Sequence, residues 1–146
     1  MDRRSFVRLG MVSGAASVIA PAPAWAGSSG SPLSSNLAGG VFYTKEAPGR
    51  WGKKVGGHLP KIKKEVDPGG KVKISVSTAH PMSGYQHYIV KHVLLDKDFR
   101  FVAEKMFDPT KDKTPVSSFT LDKYSGPLYA LSVCNKHDTW IAVIEV

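Results

Sequence analysis

A single cysteine stands among 146 residues. It excludes any internal disulfide framework and any cysteine-rich zinc or iron–sulfur cage. Long hydrophobic runs are also missing. The weakly apolar stretch Leu9 to Ala20 is shorter than the roughly 20 residues a membrane span needs, and Gly, Ser and Pro interrupt this part of the chain. No segment sustains a helical period over a dozen residues, and there is no internal repeat. Acidic residues are scarce: 12 Asp+Glu against 20 Lys+Arg leave a formal charge of +8. That excess permits an anionic partner without naming one. It is spread thinly and carries no aromatic stacking motif, which argues against nucleic acid. The remaining composition, 42% hydrophobic and 22% charged, is that of one globular domain able to bury an unaided core.

The chain opens Asp2-Arg3-Arg4-Ser5-Phe6-Val7-Arg8, continues through the apolar run, and reaches Ala24-Trp25-Ala26 before Gly27. Basic start, apolar middle and A-x-A end are the three parts of a secretory signal. The paired arginines resemble the twin-arginine export signal. Residues 1–26 are therefore expected to be a cleaved signal peptide, with no stable membrane anchoring and a periplasmic mature protein. Three Arg and one Asp leave with it, so the mature chain keeps about +6. Residues 27–40, GSSGSPLSSNLAGG, read as a flexible leader, and 41–146 as the folded domain. A free thiol sent to an oxidising compartment needs protection, and metal ligation is one form of it.

Residues 41–71 mix Gly, Pro and Lys without a period and read as loop with at most short strands. From Lys71 the pattern changes. Val72, Ile74 and Val76 alternate with Lys73, Ser75 and Ser77, as in a half-buried strand. Further β-rich runs are 88–95, 99–103, 117–121, 128–133 and 140–146, separated by turn signals such as Ser83-Gly84 and Asp108-Pro109. This spacing predicts an all-β fold, an immunoglobulin-like antiparallel β-sandwich of about seven strands.

Five histidines and the cysteine supply the chemistry. His58 lies in Gly56-Gly57-His58-Leu59-Pro60, and His80 and His87 bracket a segment containing Pro81 and Ser83-Gly84. On one continuous strand His80 and His87 would face opposite sides; a turn between them lets both converge. Cys134 and His137 are three apart across a strand-end turn. All five candidates fall on loops or strand ends, which cluster at the edges of a sandwich. His92 falls inside a strand with the parity opposite to His87 and is expected to face away. Four imidazoles and a thiolate exceed a tetrahedral zinc set, and this mixture ranks iron ahead of copper and zinc.

His80-Pro81-Met82…His87-Tyr88-Ile89, followed by Leu128-Tyr129-Ala130-Leu131-Ser132-Val133-Cys134-Asn135-Lys136-His137 with Trp140 three residues on, resembles the superoxide reductases. These are the neelaredoxins and the iron-binding domain of desulfoferrodoxin, and the likeness covers about residues 40–146. It implies a ferrous ion held by His58, His80, His87 and His137 around a plane, with Cys134 axial. It also implies one-electron reduction of superoxide to hydrogen peroxide, renewal by an electron donor that the sequence does not identify, and a homo-oligomer. The rubredoxin-like domain of some members, which needs four further cysteines, is absent.

Two departures stand out. The family's Glu-Lys pair before the first histidine is replaced by Gly56 and Gly57, and the His80–His87 spacing is one residue longer than usual. Lys53, Lys54 and Lys136 are the candidate sources of the positive charge that the missing lysine would supply. A rival reading is a non-catalytic metal-binding or electron-transfer module like the carriers of sulfur oxidation. Metal content and colour on oxidation separate the two.

Overall fold

The computed structural model describes Leu33 and residues 35–146. The signal peptide expected over 1–26 and most of the leader lie outside the described residues. The leader's end, residues 35–40, forms turns in which Val41 N–H donates to the Leu37 carbonyl at 2.8 Å. One close approach fixes this region. Gly49 (φ +46) lies so near Gly39 that a Cβ there would collide with the Gly39 carbonyl, a place only glycine fits.

Among the described residues, seven strands form two antiparallel sheets: β1 (Lys61–Val66), β2 (Lys71–Ser77), β3 (Ile89–Leu95), β4 (Phe101–Met106), β5 (Val116–Asp122), β6 (Pro127–Cys134) and β7 (Asp138–Glu145). One sheet has the order β1-β2-β5, the other β4-β3-β6-β7. The alternation in β2 does what its period demands: Val72, Ile74 and Val76 are buried and meet Leu94 of β3 and Leu128 and Ala130 of β6 between the sheets. Each such aliphatic side chain taken fully from water contributes about 1.5–3 kcal/mol. The β-sandwich expected from the sequence is the fold.

Three details differ from the sequence reading. β1 is a full six-residue strand in the stretch read as loop with at most short strands. It is an edge strand whose side chains are nearly all exposed, so it carries no apolar alternation to detect. β4 begins at Phe101 rather than Phe99. Phe99 instead occupies a turn with φ +59 and stacks on Tyr129 at 4.6 Å. The stretch Gly49–Lys54 forms 3-10 turns that run into a helical turn, Val55–His58, so Lys53 and Lys54 stand on ordered backbone.

The topology brings the relevant chain ends to one edge. Ile89 at the start of β3 pairs with Cys134 at the end of β6, and Cys134 pairs with Asp138 at the start of β7. β2 ends nearby: Thr78, just past it, donates through Oγ1 to Ser132 Oγ at 2.8 Å.

Candidate metal centre

Each histidine is aimed by local structure. His58 closes the Val55–His58 turn, and its Nδ1 lies 3.0 Å from the Lys54 carbonyl. His80 follows β2 by three residues, and its Nδ1 lies 2.6 Å from the Pro81 carbonyl. A carbonyl only accepts, so Nδ1 of both rings carries the proton and Nε2 presents a bare lone pair. Between His80 and His87 the chain turns through the 3-10 segment Gly84–Gln86, with Gly84 at φ +60 and a bridge between Ser83 and His87. His137 sits in the β6–β7 turn, where its carbonyl accepts from Trp140 Nε1 at 2.9 Å.

The rings form a square. Neighbouring centroids are 4.5 Å (His58–His80), 4.4 Å (His80–His87), 4.8 Å (His87–His137) and 4.6 Å (His137–His58), all steeply inclined, while His58 and His87 face each other across it at 6.1 Å. Inside the square, His58 Nε2 is 2.9 Å from His137 Nδ1. His87 Nε2 is 3.0 Å from both His137 Nδ1 and His80 Nε2. Cys134 Sγ lies 3.6 Å from His137 Nδ1 and 3.8 Å from His80 Nε2. All five ligand atoms fall within 4.8 Å of one another.

These distances test the choice of metal. Ligands at right angles about 2.1 Å from an ion stand about 3.0 Å apart, whereas tetrahedral ones stand about 3.4 Å apart. The nitrogen spacings match the right-angled set. Two rings already locked with lone pairs inward, together with a nearby sulfur, need a cation among them. The donor set fits a mononuclear iron centre.

Burial keeps the rings in their ligating, neutral form. His58 is pushed down to about 4 from 6.5, chiefly by burial, and burial likewise lowers His80. His87 is lowered by burial, then by the charges of Lys136 and Lys54. His137 is lowered by burial, then by His87, Lys54 and Lys136. Lys54 and Lys136 thus make the cluster's surroundings positive. His58, His80 and Cys134 are buried, while His87 and His137 are half-exposed, so the cluster reaches the surface on their side.

The structure brings together His58, His80, His87, Cys134 and His137, and leaves His92 out. His92 is fully buried between the sheets, with Nε2 2.9 Å from Thr78 Oγ1 and Nδ1 2.8 Å from Ser117 Oγ. Sequence reasoning missed the supporting residues. Asn135 Oδ1 accepts from Tyr88 N–H at 3.0 Å, and its Nδ2 donates to the carbonyls of Tyr85 and Gln86 at 3.1 and 3.2 Å. One amide thereby fastens the His87 loop to the Cys134–His137 turn. The Lys136 N–H points at Cys134 Sγ, 3.4 Å away. Trp51 meets the His137 ring edge-on at 4.7 Å. Only the adjacency of Asn135 to Cys134 was visible beforehand.

The desulfoferrodoxin family profile matches residues 50–143, which contain the whole cluster. Among solved structures, the superoxide reductase (neelaredoxin) from Ignicoccus hospitalis is 30% identical with a TM-score of 0.60, over 73% of this chain and 94% of that one. A variant of the same protein gives 32% identity and a TM-score of 0.62, over 73% and 93%. A mutant superoxide reductase (neelaredoxin) from Archaeoglobus fulgidus in the reduced form is 25% identical, with a TM-score of 0.53, over 61% and 89%. No curated protein matches the chain. A profile matched over most of the folded domain, on a sandwich whose edge gathers four histidines and one cysteine, makes this chain a member of the desulfoferrodoxin family.

Proposed function

We propose that the protein is a superoxide reductase, converting superoxide, one electron and two protons to hydrogen peroxide. The observation that carries this reading is the set of four ring nitrogens and one sulfur within 4.8 Å, half-exposed on the side of His87 and His137. A bound ferrous ion would supply the single electron. His58, His80, His87, His137 and Cys134 would hold that ion, and it would still have room to bind solvent or a small anion. The chain's own groups do the rest. Nδ1–H contacts to the Lys54 and Pro81 carbonyls hold two rings in the ligating tautomer, and the Lys136 N–H is directed at the sulfur. Lys54 and Lys136 draw in the anion and, with solvent, provide protons; Lys53, next along the same turns, is a weaker candidate for this role. These lysines stand in for the family lysine whose position Gly57 occupies. The amino-terminal export pattern supports placing this chemistry in the periplasm, served by a one-electron donor there.

Iron-loaded protein given a pulse of superoxide tests the reading. A reductase consumes it at least tenfold faster than a Cys134→Ser variant and forms one peroxide per superoxide without releasing oxygen. Equal rates would overturn the reading and favour the carrier alternative.

A further inference from the structure

Asp138 is one of three non-glycine residues with a left-handed backbone among the described residues (φ +62), and it directly follows the cluster residue His137. Such a conformation persists where its surroundings over-determine it, and it gathers at functional places. The surroundings here are specific. Asp138 Oδ2 accepts from Arg50 Nη2 at 2.6 Å and from Trp51 Nε1 at 2.8 Å. The Arg50 guanidinium lies over the Trp51 ring at 4.8 Å, and the Trp51 and His137 rings in turn meet edge-to-face at 4.7 Å with an interplanar angle of 88°. Four residues from two parts of the chain, 88 positions apart at the Arg50–Asp138 pair, thus form one interlocked group against the cluster.

What this group fastens is the segment that delivers His58. Residues 49–58 contain four glycines, of which Gly52 and Gly56 have no heavy atom near enough to meet an added Cβ. Glycine-rich backbone with open space around it has much freedom to lose. The same segment carries Lys54, whose carbonyl aims His58.

We propose that Asp138 is a positioning residue, a carboxylate latch that closes the Gly49–His58 segment over the cluster so that His58 completes the square. The inference rests on the metal-centre reading above. An exposed ion pair alone would hold little. The latch works because one oxygen collects two donors and the indole touches both the guanidinium and a ligand ring. A left-handed carboxylate beside His137 points back across the edge of the sandwich to where Arg50 and Trp51 stand.

The test uses the full chain with ferrous ion as probe, and trypsin, which cuts after Arg50, Lys53 and Lys54. In Asp138→Ala, nicking at those three bonds should quicken at least tenfold, and ferrous affinity, read by chelator competition, should fall 10- to 100-fold. Asp138→Gly suits the backbone angle better yet should lose the same affinity, which separates latching from strain. Trp51→Phe, keeping the Arg50 contact, should show a smaller loss of threefold or more. In a His58→Ala background, Asp138→Ala should change affinity by less than twofold, because the residue it positions is gone. Unchanged nicking, or an affinity loss of full size in the His58→Ala background, would overturn the proposal. If these expectations hold while iron-loaded wild type fails to consume superoxide, the latch stands and the reductase reading falls.

Discussion

His58 Nε2 stands 2.9 Å from His137 Nδ1, although 79 residues separate the two in the chain. The His58 nitrogen is a bare lone pair, because its partner Nδ1 is committed to the Lys54 carbonyl. Bringing such groups together in a buried place costs free energy that an ion among them returns. Ferrous ion at 100 times its Kd should therefore stabilise the fold by about 2.7 kcal/mol. Thermal unfolding with and without chelator measures this, and His58→Ala should shrink the difference. Equal melting temperatures in both conditions would count against a preformed site.

The lysine charges that bear on both His87 and His137 are those of Lys54 and Lys136, with Asp138 opposing them at His137. Each of Lys54→Ala and Lys136→Ala should slow superoxide consumption about threefold to tenfold at low salt, and the gap should close as salt rises. Lys53→Ala should change the rate less than twofold. A larger effect at Lys53 would move the steering charge to that residue.

Asn135 uses both ends of its amide to join the His87 loop to the Cys134 turn. Asn135→Ala should cost about 1–2 kcal/mol in denaturant unfolding. Asn135→Asp should cost more despite its closer shape, because an acceptor would then face two carbonyl oxygens. The reverse order would show that the donated hydrogen bonds contribute nothing.

His92 is held neutral by burial, which lowers it to about 4 from 6.5. The unfolded chain thus binds this proton more readily than the folded one. The stabilisation is fully present above pH 6.5 and is lost as pH falls toward 4, with a ceiling of about 3 kcal/mol. Unfolding free energy measured from pH 7 to pH 4 should fall more steeply in the wild type than in His92→Gln. Parallel curves would contradict the assignment.

Much of this architecture was written in the sequence. Val72, Ile74 and Val76 alternate because one face of β2 is core, and the β-rich runs 88–95 and 128–133 fall on β3 and β6, strands without a fully exposed residue. The five candidate ligands were legible because histidine and cysteine announce their chemistry and strand ends meet at a sandwich edge. β1 escaped because an exposed edge strand leaves no apolar rhythm. The 3-10 and helical turns before His58 escaped because four glycines mask any helical period. The contacts of Asp138 with Arg50 and of Asn135 with Tyr85 join distant positions by ordinary polar groups, and no local pattern signals such pairs.

The most direct test of the account is the iron content and visible spectrum of the oxidised protein beside those of Cys134→Ser. One iron per chain, with a thiolate-to-iron absorption band that disappears in the variant, is the predicted result. Substoichiometric iron, or a band that survives loss of the sulfur, would contradict it.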